Sequence, residues 1–189
     1  HPPSIGYFSR VSYYNGFDKL ADTFIDLKKR NLIPGLMLNV CGGYSGDDKP
    51  FILSQIRKIR ENGFQKYVKI FPDFHGSKKL EFFNSVDVIS VPVRKYDGYG
   101  LYILEANSAG VPVVQPDTGA FAEIVEKTGG GIIYTPDTTE ALASALLRLL
   151  TDKNLASDLG ETGRRRVRSE LSLSKMSSGL AGVYDRIVP

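Results

Sequence analysis

Between residues 94 and 120 the chain reads RKYDGYGLYILEANSAGVPVVQPDTGA, which sets Asp97, Gly98, Gly100 and Glu105 in close succession. Seven residues separate the two carboxylates, and a helical segment opens directly after the second glycine. Glycines let a backbone turn sharply and approach a ligand closely. The helix start behind them presents unpaired N–H groups and a partial positive charge, which suits an anion such as phosphate. The spacing is neither G-x-G-x-x-G, because residue 103 is Ile, nor the Gly-Lys-Ser/Thr of a P-loop. Two carboxylates beside an anion site repel the anion itself. They are good acceptors for hydroxyls on either side of a diphosphate, and ribose, diphosphate and sugar in a nucleotide sugar have that layout. The plainer alternative makes Asp97 a turn former and Glu105 an exposed helix residue. Arg10, behind the first apolar run, is placed to donate to phosphate oxygens in a fork, and Gly16 opens the first long helix.

These residues need a scaffold. Six short apolar runs read as strands: SIGYFS, GLMLNVCG, YVKIFP, DVISVPV, VPVVQP and GGIIYTP. Helical segments alternate with them: GFDKLADTFIDLKKR, FILSQIRKIRENG, SKKLEFFNSV, LYILEANSAG, FAEIVEKT and TEALASALLRLLTDK. In the last, Leu142, Leu146, Leu149 and Leu150 recur at helical spacing. The strands are nearly continuous in apolar character, as expected when helices cover both faces of a parallel sheet. The expected fold is therefore α/β: a doubly wound, mostly parallel six-stranded sheet in one domain spanning residues 1–189. Ligands in such folds bind at the carboxyl ends of the strands, near the switch in strand order. The suggestive residues fall there: Arg10 to Gly16, Gly42 and Gly43, Asp97 to Gly100, and Thr118 with Gly119. The tail from Asn154 to Ile187 reads as one or two more helices carrying Arg164, Arg165, Arg166 and Arg168. That run is first a solvated basic face; peripheral contact with an anionic membrane is the sharper reading.

Bulk properties narrow the function. The 189 residues are 42% hydrophobic and 24% charged with net charge +3, an ordinary globular balance. No apolar run approaches the roughly 20 residues of a membrane span. Cys41 is the single cysteine, so no internal disulfide or cysteine-type zinc site is available, and a cytoplasmic setting fits, with the inner face of a membrane as a candidate station. His75 is the only histidine besides His1, which argues against a triad or a histidine-rich metal site. No basic stripe is interleaved with aromatics, so nucleic acid is not an expected partner. The chain opens on His1 rather than Met, so residues upstream are expected to have been removed.

The segment DGYGLYILEANSAGVPVVQPDTGAFAEIVE resembles the signature region of retaining glycosyltransferases of the GT-B fold, the class called group 1 or family 4. IGYFSRVSYYNGFDKLADTF is similar to that family's first strand and helix, and the likeness runs from Ile5 to Val188. The resemblance implies the carboxyl-terminal, donor-binding half of such an enzyme, with the amino-terminal, acceptor-binding half as its partner outside this chain. It implies that Glu105 holds the ribose hydroxyls and Asp97 contacts the transferred sugar. Gly100, Leu101 and Tyr102 would lend backbone N–H groups to the diphosphate, flanked by Gly98. Arg10 would bind phosphate, with Asn15 and Gly16 beside it. Pro72, Asp73 and Phe74 would lie at the nucleobase, and Gly119 near the donor sugar. Transfer in the family proceeds without a divalent metal, so no cofactor is expected beyond the nucleotide sugar as substrate, and the acceptor is unspecified. Two positions depart from the pattern. Asp97 stands where glutamate is usual, retracting the carboxylate by one bond, roughly 1.5 Å. Asn15 stands where lysine is usual. The competing expectations are a nucleotide-sugar-binding module without catalysis, and an epimerase of related fold.

Overall fold

The structure is a computed structural model in which residues 1–72, 75–94 and 99–187 are described. Asp73, Phe74, Asp97 and Gly98 lie outside the described residues. Among the described residues six strands form one sheet: β1 (Ser4–Phe8), β2 (Met37–Cys41), β3 (Val68–Phe71), β4 (Val88–Ile89), β5 (Val113–Pro116) and β6 (Gly131–Tyr134). Their order is β3-β2-β1-β4-β5-β6, and every neighbouring pair is parallel. Among the described residues eight α-helices accompany them: α1 (Phe17–Arg30), α2 (Lys49–Glu61), α3 (Gly76–Phe83), α4 (Leu101–Ser108), α5 (Phe121–Thr128), α6 (Thr139–Thr151), α7 (Lys153–Glu170) and α8 (Leu173–Ile187). The chain begins in the middle of the sheet, builds outward to β3, then crosses to the far side of β1 and builds outward again. That reversal between β1 and β4 is the switch point of a doubly wound fold.

Side-chain alternation along β1 divides the two layers. Tyr7 meets Phe17 of α1 at 5.1 Å between ring centroids, whereas Phe8 meets Phe82 and Phe83 of α3 at 5.5 and 5.0 Å. Helix α1 packs against α2 and α6, and α4 packs against α5 and α7, so both faces of the sheet are covered. Ile5, Tyr7, Leu38, Val88, Val113 and Val114 are fully enclosed, which explains the unbroken apolar strands. The expected seven-residue fourth strand is shorter than its sequence. Only Val88 and Ile89 pair; beyond them the Val91 amide meets the Oε1 of Gln115 at 3.3 Å instead of a ladder carbonyl. Val91 and Val93 remain buried all the same, so their apolar character reflects enclosure, not strand pairing.

One helix was reset by its cap. Helix α2 begins two residues before the expected Phe51, because Ser45 and Asp48 form a reciprocal capping box on a 3-10 turn at Gly46–Asp48 and Pro50 occupies the first turn. The tail forms two helices. In α7, Gly160 and Gly163 let the helix lie against Gly110 and Asn107, where a Cβ would stand 2.1 and 2.9 Å from the nearest atoms. The arginine run is not one free basic face. Arg166 donates to the carbonyls of Glu126 and Lys127 at the end of α5, Arg164 pairs with Glu161, and Arg165 and Arg168 are exposed. Helix α8 buries none of its residues, and its Leu173, Met176, Leu180, Val183, Tyr184 and Ile187 form an exposed apolar stripe. Among the described residues no helix is long and apolar enough to cross a membrane.

Asn107 locks α4 to the sheet. Its fully buried Nδ2 donates to the carbonyls of Val111 at 3.1 Å and Gly130 at 2.9 Å. Asn107→Ala should destabilise the chain by about 2 kcal/mol, since it removes two buried hydrogen bonds and leaves a void. Urea unfolding should show that loss as a lower midpoint at unchanged slope.

Candidate functional site

Four loops leave the carboxyl edge of β1, β2, β4 and β5, and backbone hydrogen bonds join the first three. The Val11 amide donates to Gly43 at 2.9 Å, linking the loops after β1 and β2. The Arg94 amide donates to Tyr14 at 2.9 Å, linking those after β1 and β4. Arg94 adds a fork of two 2.7 Å bonds to Asp18 in the first turn of α1, a bond to the Tyr13 carbonyl, and a stacked position 3.9 Å from the Tyr13 ring. Residues 10–16 are thus clamped beside the segment that leads towards Asp97.

Both helix starts at this edge require glycine. Gly16 caps α1 with φ 70°, and a Cβ there would stand 1.8 Å from the Pro92 carbonyl oxygen. Gly100 caps α4 with φ 63°, and its Cβ would press to 2.7 Å from the Phe121 ring. Gly100 opens α4 in the left-handed conformation, and a helix start is the element that supplies N–H groups to an anion. Leu101 is exposed there, whereas Tyr102 is buried with its ring 6.1 Å from that of Phe121. Gly119, with φ 55°, lies exposed in the turn before α5.

Arg10 is not a free surface arginine. Its Nε donates to Asp48 Oδ2 at 2.8 Å, and its Nη2 donates to Asp48 Oδ1 at 3.2 Å and to Ser45 Oγ at 2.7 Å. The guanidinium fork expected for phosphate is closed on a carboxylate. Asp48 is the immobile partner: its side chain is 11% exposed against 56% for Arg10, and the Ser45 amide and hydroxyl also donate to it. Asn15 faces inward. Its Nδ2 donates to Ser9 Oγ and to the Arg10 carbonyl, both at 3.0 Å, and the Tyr7 hydroxyl donates to the same carbonyl at 2.8 Å. Its amide therefore shapes the loop rather than the cleft.

Glu105 occupies the second turn of α4 and is half-buried, accepting a 2.8 Å bond from Lys79 of α3. Beside Arg10, residues Phe8, Ser9, Gly42, Gly43 and Tyr44 line an open cleft of about 460 Å³. A second, apolar cavity of about 470 Å³ adjoins it beneath α2, lined by Ile56, Val68, Ile70 and Pro72 among others. Among the described residues no group of three or more His, Cys, Asp and Glu is arranged to hold a metal ion. Sequence reading missed Asp48, Lys79, Asp18 and Arg94. Only Asp48 carried a local signal, the Ser45–Asp48 capping spacing ahead of Pro50.

The family model for glycosyl transferases group 1 matches residues 1–166, and the chain belongs to that family. It is 27% identical over 188 residues to the lipopolysaccharide core biosynthesis mannosyltransferase LpsB of Rhizobium meliloti, covering 97% of this chain and 52% of that protein. Among solved structures it is similar to the C-terminal domain of a group 1 glycosyl transferase (LpcC) from Francisella tularensis, with TM-score 0.78 and 23% identity over 90% of this chain and 87% of that one. It is also similar to Anabaena Alr3699/HepE in complex with UDP-glucose, with TM-score 0.85 and 19% identity over 98% of this chain and 49% of that one. These likenesses confirm the Rossmann-like half of a GT-B fold. The chain spans about half the length of the curated relatives it matches, from 41% to 52% of the first few.

The Asp48 carboxyl is held at about 2, below its ordinary 3.8, chiefly by the Arg10 hydrogen bond and then by the Ser45 amide. A depressed folded value stabilises fully above the ordinary one and is lost as pH falls through the folded one. The stability deficit of Asp48→Asn should therefore be constant from neutral pH to about 4 and vanish toward about 2, as thermal unfolding across that range would reveal.

Proposed function

We propose that this chain is the donor-binding half of a retaining glycosyltransferase. It holds a nucleoside diphosphate sugar while an amino-terminal half outside the chain presents the acceptor. The observation that carries the reading is the convergence at the switch point of the Gly100-capped start of α4 with the clamped loop bearing Arg10. One supplies amides and the other a guanidinium, and Glu105 follows on the same helix. In this reading the Leu101 and Tyr102 amides and Arg10 bind the diphosphate and stabilise its charge as the sugar leaves, an electrostatic role fixed in advance by the fold. Glu105 accepts from the ribose hydroxyls after releasing Lys79, and Asp97 orients the transferred sugar. Pro72, Asp73 and Phe74 border the base, and Gly119 the sugar. No step is assigned to a metal or further cofactor. Two similar proteins support a nucleotide-sugar donor: Alr3699/HepE is complexed with UDP-glucose, and another is a GDP-mannose-dependent mannosyltransferase. UDP and GDP donors are therefore both candidates.

Calorimetric titration with UDP, GDP and ADP, with and without magnesium, tests this. One nucleotide should bind saturably, and Arg10→Ala and Glu105→Ala should each weaken it by about 10-fold or more, as for loss of a charged hydrogen bond. Absence of saturable binding in the full-length protein would end the reading.

One observation favours a second reading, a nucleotide-sugar binder with little or no catalysis: the Asn15 amide, at the position of the family's lysine, is turned into its own loop. The full-length protein carrying Asn15→Lys and Asp97→Glu separates the two. A transferase weakened by these residues should gain activity, with donor affinity rising roughly 10- to 100-fold for one charged hydrogen bond regained. A binder should gain affinity alone.

A further inference from the structure

Arg10 has five N–H donors. Three are engaged: Nε–H and one Nη2–H on Asp48, and the second Nη2–H on Ser45 Oγ. The two on Nη1 make no hydrogen bond among the described residues, and the guanidinium borders the open cleft beside Gly42 and Gly43. Asp48 cannot follow Arg10 outward. Its backbone is held at the start of α2, its oxygens take the Ser45 amide and hydroxyl, and its side chain is nearly enclosed.

We propose that Asp48 is a positioning residue for donor binding: it holds Arg10 by one edge, so that the guanidinium meets a diphosphate oxygen through Nη1 in a place fixed before the ligand arrives. The inference rests on the donor-site reading above. A long exposed arginine without such a holder must be immobilised by the ligand itself, which weakens binding, whereas a held one is already ordered. The opposing effect is the carboxylate's own repulsion of phosphate. Four donated hydrogen bonds spread that charge over neighbouring groups, and it lies on the far side of the guanidinium from the free Nη1. Positioning therefore outweighs repulsion.

The alternative geometry has the ligand pull Arg10 away from Asp48, making the pair a competitor rather than a holder. Asp48→Asn distinguishes the two, because asparagine has nearly the same shape yet its amide cannot accept both guanidinium bonds. The measurement is affinity of the full-length protein for UDP, GDP and ADP and for the corresponding nucleosides. For whichever nucleotide binds, Asp48→Asn should weaken the diphosphate about 10-fold and leave the nucleoside unchanged, a selectivity that general loosening of the fold does not produce. Combined with Arg10→Ala it should add nothing further, since it acts through Arg10. Ser45→Ala, which keeps the Asp48 fork, should give a smaller loss of the same selectivity. Equal or tighter diphosphate binding by Asp48→Asn overturns the inference, as does a loss that adds in full to that of Arg10→Ala. If the unsubstituted protein binds no nucleotide, the donor-site reading falls and this inference falls with it.

Discussion

The molecule hinges on the contact between β1 and β4. Two strings of elements, β1 to β3 and β4 to β6, are built outward from it in opposite directions, yet the two strands share only the pairs Ile5–Val88 and Gly6–Ile89. Such a short ladder survives because it is enclosed and reinforced. The Asp87 amide donates to Ser4, the Ser90 amide to Gly6, and the Ser4 amide to the Asp87 carboxylate, all within 2.8–3.0 Å. Gly6 has no room for a side chain: a Cβ would lie 2.9 Å from Ile89 and 3.1 Å from Phe82. The strands run parallel and their crossovers diverge, so the loops leaving their carboxyl ends part and open a crevice. The site is a consequence of that seam.

Much of the scaffold was legible in sequence because its signals are local. Unbroken apolar strands report burial on both faces, and α5 begins and ends where its periodicity says, from Phe121 to Thr128. The discrepancies share one cause. Composition reports enclosure, not hydrogen-bond partners, so DVISVPV reads as one long strand although only Val88 and Ile89 join the ladder. The α2 start was displaced by side-chain capping, which an apolar pattern does not record.

In the site, position was legible and partnership was not. Glycine spacing located the α4 start, and Gly100 and Gly16 adopt the left-handed conformation that such starts demand. The charges were another matter. Arg10 and Asp48 are 38 residues apart in the chain, Lys79 and Glu105 are 26 apart, and Asp18 and Arg94 are 76 apart. Only the folded topology brings each pair together. Asp97 and Gly98, on which the sugar-side chemistry was hung, lie outside the described residues, as do Asp73 and Phe74.

The two candidate ligand-binding charges are both paired, yet the pairs differ in kind. Lys79 and Glu105 are each about one-third exposed, at 33% and 38%, and each projects from its own helix without a reinforcing fork. An ion pair of that type contributes roughly 0–1 kcal/mol, so ribose hydroxyls can displace the lysine at little cost. The Asp48 carboxylate is nearly enclosed and accepts from two groups besides Arg10 in a forked, charge-assisted arrangement, which holds its geometry more firmly. The crevice therefore offers an adaptable acceptor on α4 and a fixed donor on the loop after β1. This asymmetry suits a ligand whose diphosphate must be held in one place for reaction while the nucleoside beside it needs only to be retained.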